Sequence, residues 1–117
     1  TPRPAAEIQG GDGNDVLNGN AVVITNQGND VSAEFIAGAQ QALACAQKYH
    51  ANAALLAARS PSCGTGFIYN GEFKRKLMSG NGVTAALLQR HGIQCFTPDD
   101  DVQLLEWMKS ATQLDDY

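Results

Sequence analysis

The chain has 117 residues, of which 44% are hydrophobic, and this predicts one folded domain over residues 1–117. Twelve acidic and eight basic side chains give a formal net charge of -4, which argues against non-specific binding of nucleic acid. No stretch approaches the ~20 apolar residues of a membrane-spanning helix, and the three irregularly spaced cysteines favour reduced thiols, so we expect a cytoplasmic protein.

The first fifty residues predict turns, one strand and one helix. Residues 1–20 are rich in proline and glycine and are expected to form extended chain and turns. The β-branched run Ala21–Thr25 predicts a short strand. Ser32 is expected to be the N-cap of a helix that runs from about Ala33 to Tyr49. Its predicted apolar face consists of Phe35, Ile36, Ala39, Leu43, Ala46 and His50.

The second half of the chain predicts two strands and two helices around a long loop. Ala53–Ala58 is a continuous apolar run, which is typical of a parallel strand covered on both faces. Residues 59–81 form the loop, with a hairpin expected through residues 67–73. The remaining predicted elements are a helix over Val83–His91 closed by Gly92, a strand over Ile93–Phe96, and a last helix that starts at Thr97–Pro98 and runs to about Ala111.

The order of these elements after residue 30 is helix, strand, helix, strand, helix. Parallel strands need long crossover connections, and helices usually provide them. The sequence therefore predicts an α/β fold with a three-layer, Rossmann-like parallel sheet. In such sheets the loops at the carboxyl ends of the strands build the functional site.

The run Ser60-Pro61-Ser62-Cys63-Gly64 follows the first predicted core strand and holds the most informative residue, Cys63. A structural cysteine normally sits among apolar neighbours on a helix or strand, whereas Cys63 has hydroxyls and glycines around it. Thiolates are nucleophiles and soft metal ligands, so Cys63 is a candidate for chemistry. Ser60 either presents a hydroxyl at the same pocket or only stabilises the turn.

Two other segments suggest ligands less strongly. Residues 10–18 match a calcium-binding nonapeptide, but such sites need consecutive repeats and the chain has one copy. We therefore interpret this segment as a turn that directs backbone amides, or as an anion site. Arg3, between two prolines, is either solvated or held for an anion, and Lys74-Arg75-Lys76 is either a solvated surface or a guide for anions.

The remaining cysteines and the histidines are given structural interpretations. Cys45 and Cys95 are expected to be small hydrophobic residues in or near the core. His50 and His91 each follow a predicted helix, where an imidazolium can complement the terminal carbonyl groups.

Three ordered segments carry a resemblance to a known family: TPRPAAEIQGGDG at 1–13, ARSPSCGTGFIYNGEF at 58–73, and GNGVTAALLQRHGIQCF at 80–96. They resemble signatures of the bacterial family of unknown-function domains that includes thiouracil desulfurase. The resemblance, which runs through about residue 97, implies a Rossmann-like domain with a [4Fe-4S] cluster on three cysteines. It also implies an enzyme that removes sulfur from a thiolated pyrimidine base such as 2-thiouracil, or from the corresponding nucleoside.

The resemblance also implies roles for individual residues. Cys63 corresponds to the third cluster ligand, and Ser60 to a serine that assists the reaction. The implied substrate-binding residues are Arg3, Gly11, Gly13, Ser62 and Gly64. Asn70 departs from the family, which usually has aspartate at that position.

The family's other two cluster cysteines lie in Cys-x-Gly and Cys-Pro-Glu motifs that are not found in this sequence. We therefore expect the chain to be the C-terminal part of a desulfurase-like protein, with an incomplete sheet whose exposed edge favours self-association. One alternative is a non-catalytic module that binds a small anion or a nucleotide, or serves in assembly, without a cluster. Another is that Cys63 carries sulfur as a persulfide without metal.

Overall fold

A computed structural model describes residues 6–56, 61–74, 76–97, 102–103 and 105–109. The elements with assigned bounds are β1 (Ala6–Gln9), α1 (Gly13–Leu17), β2 (Val22–Thr25), α2 (Ser32–Lys48), β3 (Ala53–Leu55), β4 (Phe67–Tyr69), β5 (Leu77–Ser79), α3 (Val83–Arg90) and β6 (Gln94–Phe96). Within these described ranges, no helix combines the length and apolar character needed to span a bilayer.

The strands form three two-stranded sheets in the described part of the chain. β1 pairs antiparallel with β2, and β4 pairs antiparallel with β5, where the Asn70 N–H donates to the Lys76 carbonyl at 2.9 Å beside the connecting turn. β3 pairs in parallel with β6, with Ala54 opposite Cys95. The α/β class is confirmed, but one three-layer, Rossmann-like parallel sheet is not. The hairpin return of β4 and β5 produces antiparallel pairing, and only β3 and β6 are joined by a crossover that includes α3.

Two apolar clusters hold these sheets against the helices. The first joins Ile8, Val16, Val23, Ala39, Ile68 and Val83, and the second joins Leu88, Ile93 and Cys95. The predicted stripe of α2 spans both clusters, since Phe35, Ile36 and Ala39 pack in the first and Leu43 and Ala46 in the second. His50 does not belong to the stripe, because it lies beyond the end of α2 with a positive φ of 55°.

The prediction of extended chain and turns over residues 1–20 misses the helix α1, whereas β1 lies in the expected extended chain. Asp12 caps α1: its carboxylate accepts the N–H groups of Asn14 and Asp15, while the Asp15 carboxylate accepts the N–H of Asp12. These reciprocal bonds form a capping box, which stabilises a helix too short to show hydrophobic periodicity.

Ser32 is not the N-cap of α2, because the cap position belongs to Val31. The Ser32 hydroxyl instead accepts the Val23 N–H at 2.8 Å and so joins the helix to β2. The Ser32 N–H donates to the Asp30 carboxylate at 2.9 Å. The Ser32 hydroxyl first, and this N–H second, lower the pKa of Asp30.

The later elements agree with the sequence in most respects. Gly92 follows the end of α3 with a positive φ of 78°, as expected for a residue that closes a helix. The predicted hairpin is present but extends to Ser79. Of the last predicted helix, residues 102–103 and 105–109 are helical, and Trp107 packs against Phe96 with ring centroids 6.3 Å apart. The predicted start at Pro98 lies outside the described residues.

A buried carboxylate on β1 organises the turn between β4 and β5. Glu7 is 8% exposed, and its Oε1 accepts the N–H groups of Gly71 at 2.9 Å and Phe73 at 3.2 Å. Gln9 donates from Nε2 to the Gly71 carbonyl at 2.8 Å. Alternate side chains of β1 therefore hold a turn more than sixty residues away in sequence.

We predict that Glu7→Ala lowers the free energy of unfolding by about 2 kcal/mol, because two backbone N–H groups lose their acceptor. Glu7→Gln keeps an acceptor oxygen and should lower the free energy of unfolding by less than Glu7→Ala does. The matched control is Glu72→Ala, which removes an exposed carboxylate 4.0 Å from Lys76 and should change stability by less than about 1 kcal/mol. Urea unfolding measures all three, and equal effects of the two alanine variants would contradict the prediction.

Candidate functional site

The cysteine loop, defined here as residues 61–66, closes the N-terminal end of α3. The Pro61 carbonyl accepts the Val83 N–H at 2.7 Å, and the Ser62 carbonyl accepts the N–H groups of Thr84 at 2.8 Å and Ala85 at 3.1 Å. First-turn N–H groups have no partner within their own helix, so external acceptors must satisfy them. The two carbonyls that precede Cys63 are therefore bound to α3.

Two glycines allow three backbone segments to lie in direct contact. A Cβ added to Gly82 would lie 2.5 Å from the carbonyl carbon and oxygen of Ser62. A Cβ added to Gly13, at the start of α1, would overlap the Gly82 carbonyl. The Gly13 N–H donates to the Asn81 carbonyl at 2.7 Å, and the Gly82 N–H donates to the Gly64 carbonyl at 2.8 Å. Residues 81–82 thus join the segment at residues 10–15, called the glycine turn below, to the cysteine loop.

The end of the cysteine loop is held by the same connecting segment. The Gly66 N–H donates to Asn81 Oδ1 at 3.0 Å, and the Gly80 N–H donates to the Gly66 carbonyl at 3.0 Å. Gly66 has a positive φ of 84°, which a glycine adopts without strain. The chain is therefore anchored both before and after Cys63.

The Cys63 sulfur lies beside the Ser62 hydroxyl, and the Thr84 and Thr65 hydroxyls lie in the same part of the site. Cys63 is half-buried, and its Sγ lies 3.8 Å from Ser62 Oγ. Ser62 Oγ is 2.7 Å from Oγ1 of Thr84, a side chain only 5% exposed, and the Thr65 hydroxyl donates to the Cys63 carbonyl at 3.3 Å. A partly exposed thiol in polar surroundings can react or bind a metal, unlike a thiol sealed among apolar side chains.

The family model of 2-thiouracil desulfurase matches residues 1–100. The chain belongs to this family.

Two relatives give the extent of the similarity. The uncharacterized protein YbbK of Bacillus subtilis (strain 168) is 49% identical over 100 residues, which cover 86% of this chain and 66% of YbbK. A solved structure described as the [4Fe-4S]-dependent thiouracil desulfidase TudS matches with a TM-score of 0.80 and 45% identity, over 93% of this chain and 66% of that one. The chain thus spans slightly less than two thirds of the length of each.

The other two cysteines of this family member differ from Cys63. Cys95 is buried, with Sγ 3.6 Å from the Ile93 carbonyl and 3.8 Å from the Ala85 carbonyl, as the sequence predicts for a core residue. Burial first, and the nearby charge of Cys63 second, raise the pKa of Cys95 to about 11. Cys45 is exposed, so its predicted place in or near the core is wrong: its neighbours Leu43 and Ala46 face the second cluster and Cys45 faces solvent.

The described residues do not form a complete site for an iron–sulfur cluster. Among them, no group of three or more His, Cys, Asp or Glu side chains is placed to hold a metal ion. Clusters of this kind are held by several cysteine thiolates. The described residues therefore do not complete a ligand set around Cys63.

The other predicted site residues have different positions. In the glycine turn, the N–H groups of residues 12–15 donate to acceptors of the protein itself: Asp15 Oδ2, the Asn81 carbonyl and, twice, Asp12 Oδ1. Gly11 packs against Asp15, where an added Cβ would overlap the carboxylate. Ser60 and Arg3 lie outside the described residues, as does Arg75 of the basic run.

Two contributors to the site were not predicted from the sequence. Thr84 and Asn81 contact the cysteine loop across 22 and 15 residues of sequence, respectively. In the sequence both lie in the GNGVT segment, which carries part of the family resemblance, but Asn81 is predicted to belong to the loop of residues 59–81 and Thr84 to a helix.

We predict that Gly82→Ala destabilises the fold by about 3 kcal/mol, because its Cβ would press on the Ser62 backbone and force the cysteine loop away from α3. Gly38→Ala is the matched control. Gly38 lies on α2 with nothing within 4 Å of an added Cβ, so alanine should stabilise the helix by about 0.5–1 kcal/mol. Urea unfolding of both variants checks the prediction, and a stable Gly82→Ala protein would contradict it.

We also predict that iodoacetamide at pH 8 modifies the exposed Cys45 quickly and the buried Cys95 slowest. Only the thiolate reacts, and because the pKa of Cys95 is raised to about 11, little thiolate exists at pH 8. Its rate should rise about tenfold per pH unit up to pH 10. Peptide mapping by mass spectrometry measures the rate of modification at each cysteine. The slowly modified site should be absent from Cys95→Val. Equal rates for Cys45 and Cys95 at pH 8 would refute the assignment.

Proposed function

We propose that this chain belongs to a [4Fe-4S]-dependent desulfurase that removes sulfur from a thiolated pyrimidine base such as 2-thiouracil, with Cys63 as one cluster ligand. The observation that carries the proposal is the cysteine loop itself. A half-buried thiol lies between two anchored ends of a loop, in a member of the 2-thiouracil desulfurase family. A ligand held in this way needs little rearrangement to bind metal.

The remaining ligands are proposed to come from outside the described residues. The chain spans 66% of TudS, whose description names a [4Fe-4S]-dependent thiouracil desulfidase. Iron–sulfur clusters take several cysteine thiolates, and Cys95 is not among the proposed ligands, because it is buried in the second apolar cluster. Cys45 is exposed on α2, whereas Cys63 lies in the cysteine loop, so Cys45 is not among the proposed ligands either.

The substrate is proposed to bind beside Cys63, between the cysteine loop and the glycine turn. Both segments contact residues 81–82, and this connection supports the proposed substrate-binding residues Ser62, Gly64, Gly11 and Gly13. The proposed roles of Ser60 in proton handling and Arg3 in substrate binding rest on the sequence resemblance alone.

We also propose that β3 and β6 belong to a larger three-layer, Rossmann-like sheet. Parallel strands are normally covered on both faces and flanked by further strands, yet Leu55 on β3 is 61% exposed. An unpaired edge of this kind would also favour self-association. A reducing, cytoplasmic compartment is proposed because Cys45 and Cys95 are thiols.

The experiment uses the longest natural protein that contains this chain, purified anaerobically. We expect about four iron atoms and four acid-labile sulfides per molecule, and conversion of 2-thiouracil to uracil. Cys63→Ala should lose the cluster and the activity, whereas the control Cys45→Ala should keep both.

Wild-type protein without iron would overturn the proposal. Binding of a small anion or nucleotide by that protein would then favour a non-catalytic module. Cyanide-releasable sulfur on Cys63 would instead favour a persulfide carrier.

A further inference from the structure

We propose that Asn81 is a positioning residue for Cys63. Asn81 holds the end of the cysteine loop at a set distance from the glycine turn at the start of α1. The importance of this position for desulfuration rests on the function proposed above. The contacts themselves do not depend on a bound cluster.

The Asn81 side chain is oriented at both ends. Its Oδ1 accepts the Gly66 N–H at 3.0 Å, and its Nδ2 donates to Gln89 Oε1 on α3 at 3.2 Å. A side-chain amide has one acceptor and one donor end, so the bond to Gln89 favours the orientation in which oxygen faces Gly66. Gly66, the last residue of the cysteine loop, is thereby connected through Asn81 to α3, in addition to its bond with Gly80, which follows β5.

The Asn81 backbone binds the other segment of the site. Its carbonyl accepts the Gly13 N–H at 2.7 Å, and the N–H of the following residue, Gly82, donates to the Gly64 carbonyl at 2.8 Å. The segment 81–82 therefore contacts the cysteine loop at Gly64 and Gly66 and contacts α1 at Gly13. A substitution of Asn81 keeps the backbone carbonyl and its bond to the Gly13 N–H. A side-chain variant therefore removes the bond to the Gly66 N–H at the end of the cysteine loop.

Removal of the side chain leaves the Gly66 carbonyl bonded to the Gly80 N–H but deprives the Gly66 N–H of its acceptor. Gly66 is exposed and has a positive φ, so water can replace Asn81 and the loop can open. We expect opening to expose Cys63 more often without unfolding the domain.

The test measures alkylation of Cys63 by iodoacetamide in the full chain, after a chelator has removed any iron. The rate is divided by that of the exposed Cys45 in the same molecule. Asn81→Ala should raise this ratio about fivefold, the change expected for loss of one hydrogen bond. Asn81→Asp keeps the Oδ acceptor and should restore the wild-type ratio. Gln89→Ala removes only the group that orients the Asn81 amide and should raise the ratio less than Asn81→Ala does.

Ser32→Ala is the matched control for general destabilisation. It also removes a side-chain acceptor of a backbone N–H, that of Val23 at 2.8 Å, but on α2 rather than in the cysteine loop. It should lower thermal stability and leave the ratio at the wild-type value. An unchanged ratio in Asn81→Ala, an equal rise in Ser32→Ala, or no rescue by Asn81→Asp would overturn the proposal.

Iron analysis of the natural protein that contains this chain, purified anaerobically, separates this inference from the proposed function. Wild-type protein without iron would refute the proposed function, while the alkylation ratios would still decide the role of Asn81. Wild-type protein with iron, together with an unchanged ratio in Asn81→Ala, would refute the positioning role alone.

Discussion

The site depends on the contact between the first turn of α3 and the backbone of the cysteine loop. Gly82, Val83, Thr84 and Ala85 are buried, so water cannot readily satisfy the N–H groups of this helix end. The carbonyls of Pro61 and Ser62 accept three of those N–H groups. An unsatisfied buried N–H costs about 1–3 kcal/mol. The helix and the loop therefore behave as one unit, and the position of Cys63 follows from the placement of α3 in the core.

Elements with a clear hydrophobic pattern could be predicted from the sequence, and short elements could not. The apolar stripe of α2 and the glycine that closes α3, Gly92, could be predicted because each depends on residues that are close together in the sequence. β1 and α1 have four and five residues, too few to show a period against a glycine-rich background. Asp12 and Asp15 have the spacing of a capping box, but the sequence analysis predicts a turn here, and the tertiary contact of Gly13 with residues 81–82 distinguishes the two.

The site shows the same division between local and long-range information. The prediction that Cys63 lies in a loop among hydroxyls and glycines needed only its immediate neighbours. Asn81 and Thr84 were missed because their partners are defined by folding and not by spacing. Cys45 was misplaced for a related reason: a cysteine at the edge of an apolar stripe faces either way, and small rotations of α2 decide its exposure. Ser60 and Arg3 remain predictions from the resemblance.

The two-sided anchoring of the loop bears on the proposed role of Cys63 as one ligand of a set that the described residues do not complete. A ligand on a mobile loop loses conformational entropy when metal binds, and that loss weakens binding. Cys63 follows two carbonyls bound to α3 and precedes Gly64 and Gly66, which are bound to residues 81–82, so much of this entropy is already lost on folding. Cys95 is equally well ordered, but it is buried and its raised pKa disfavours the thiolate. Order and access to the thiolate are both needed, and in the described part of the chain they coincide at Cys63.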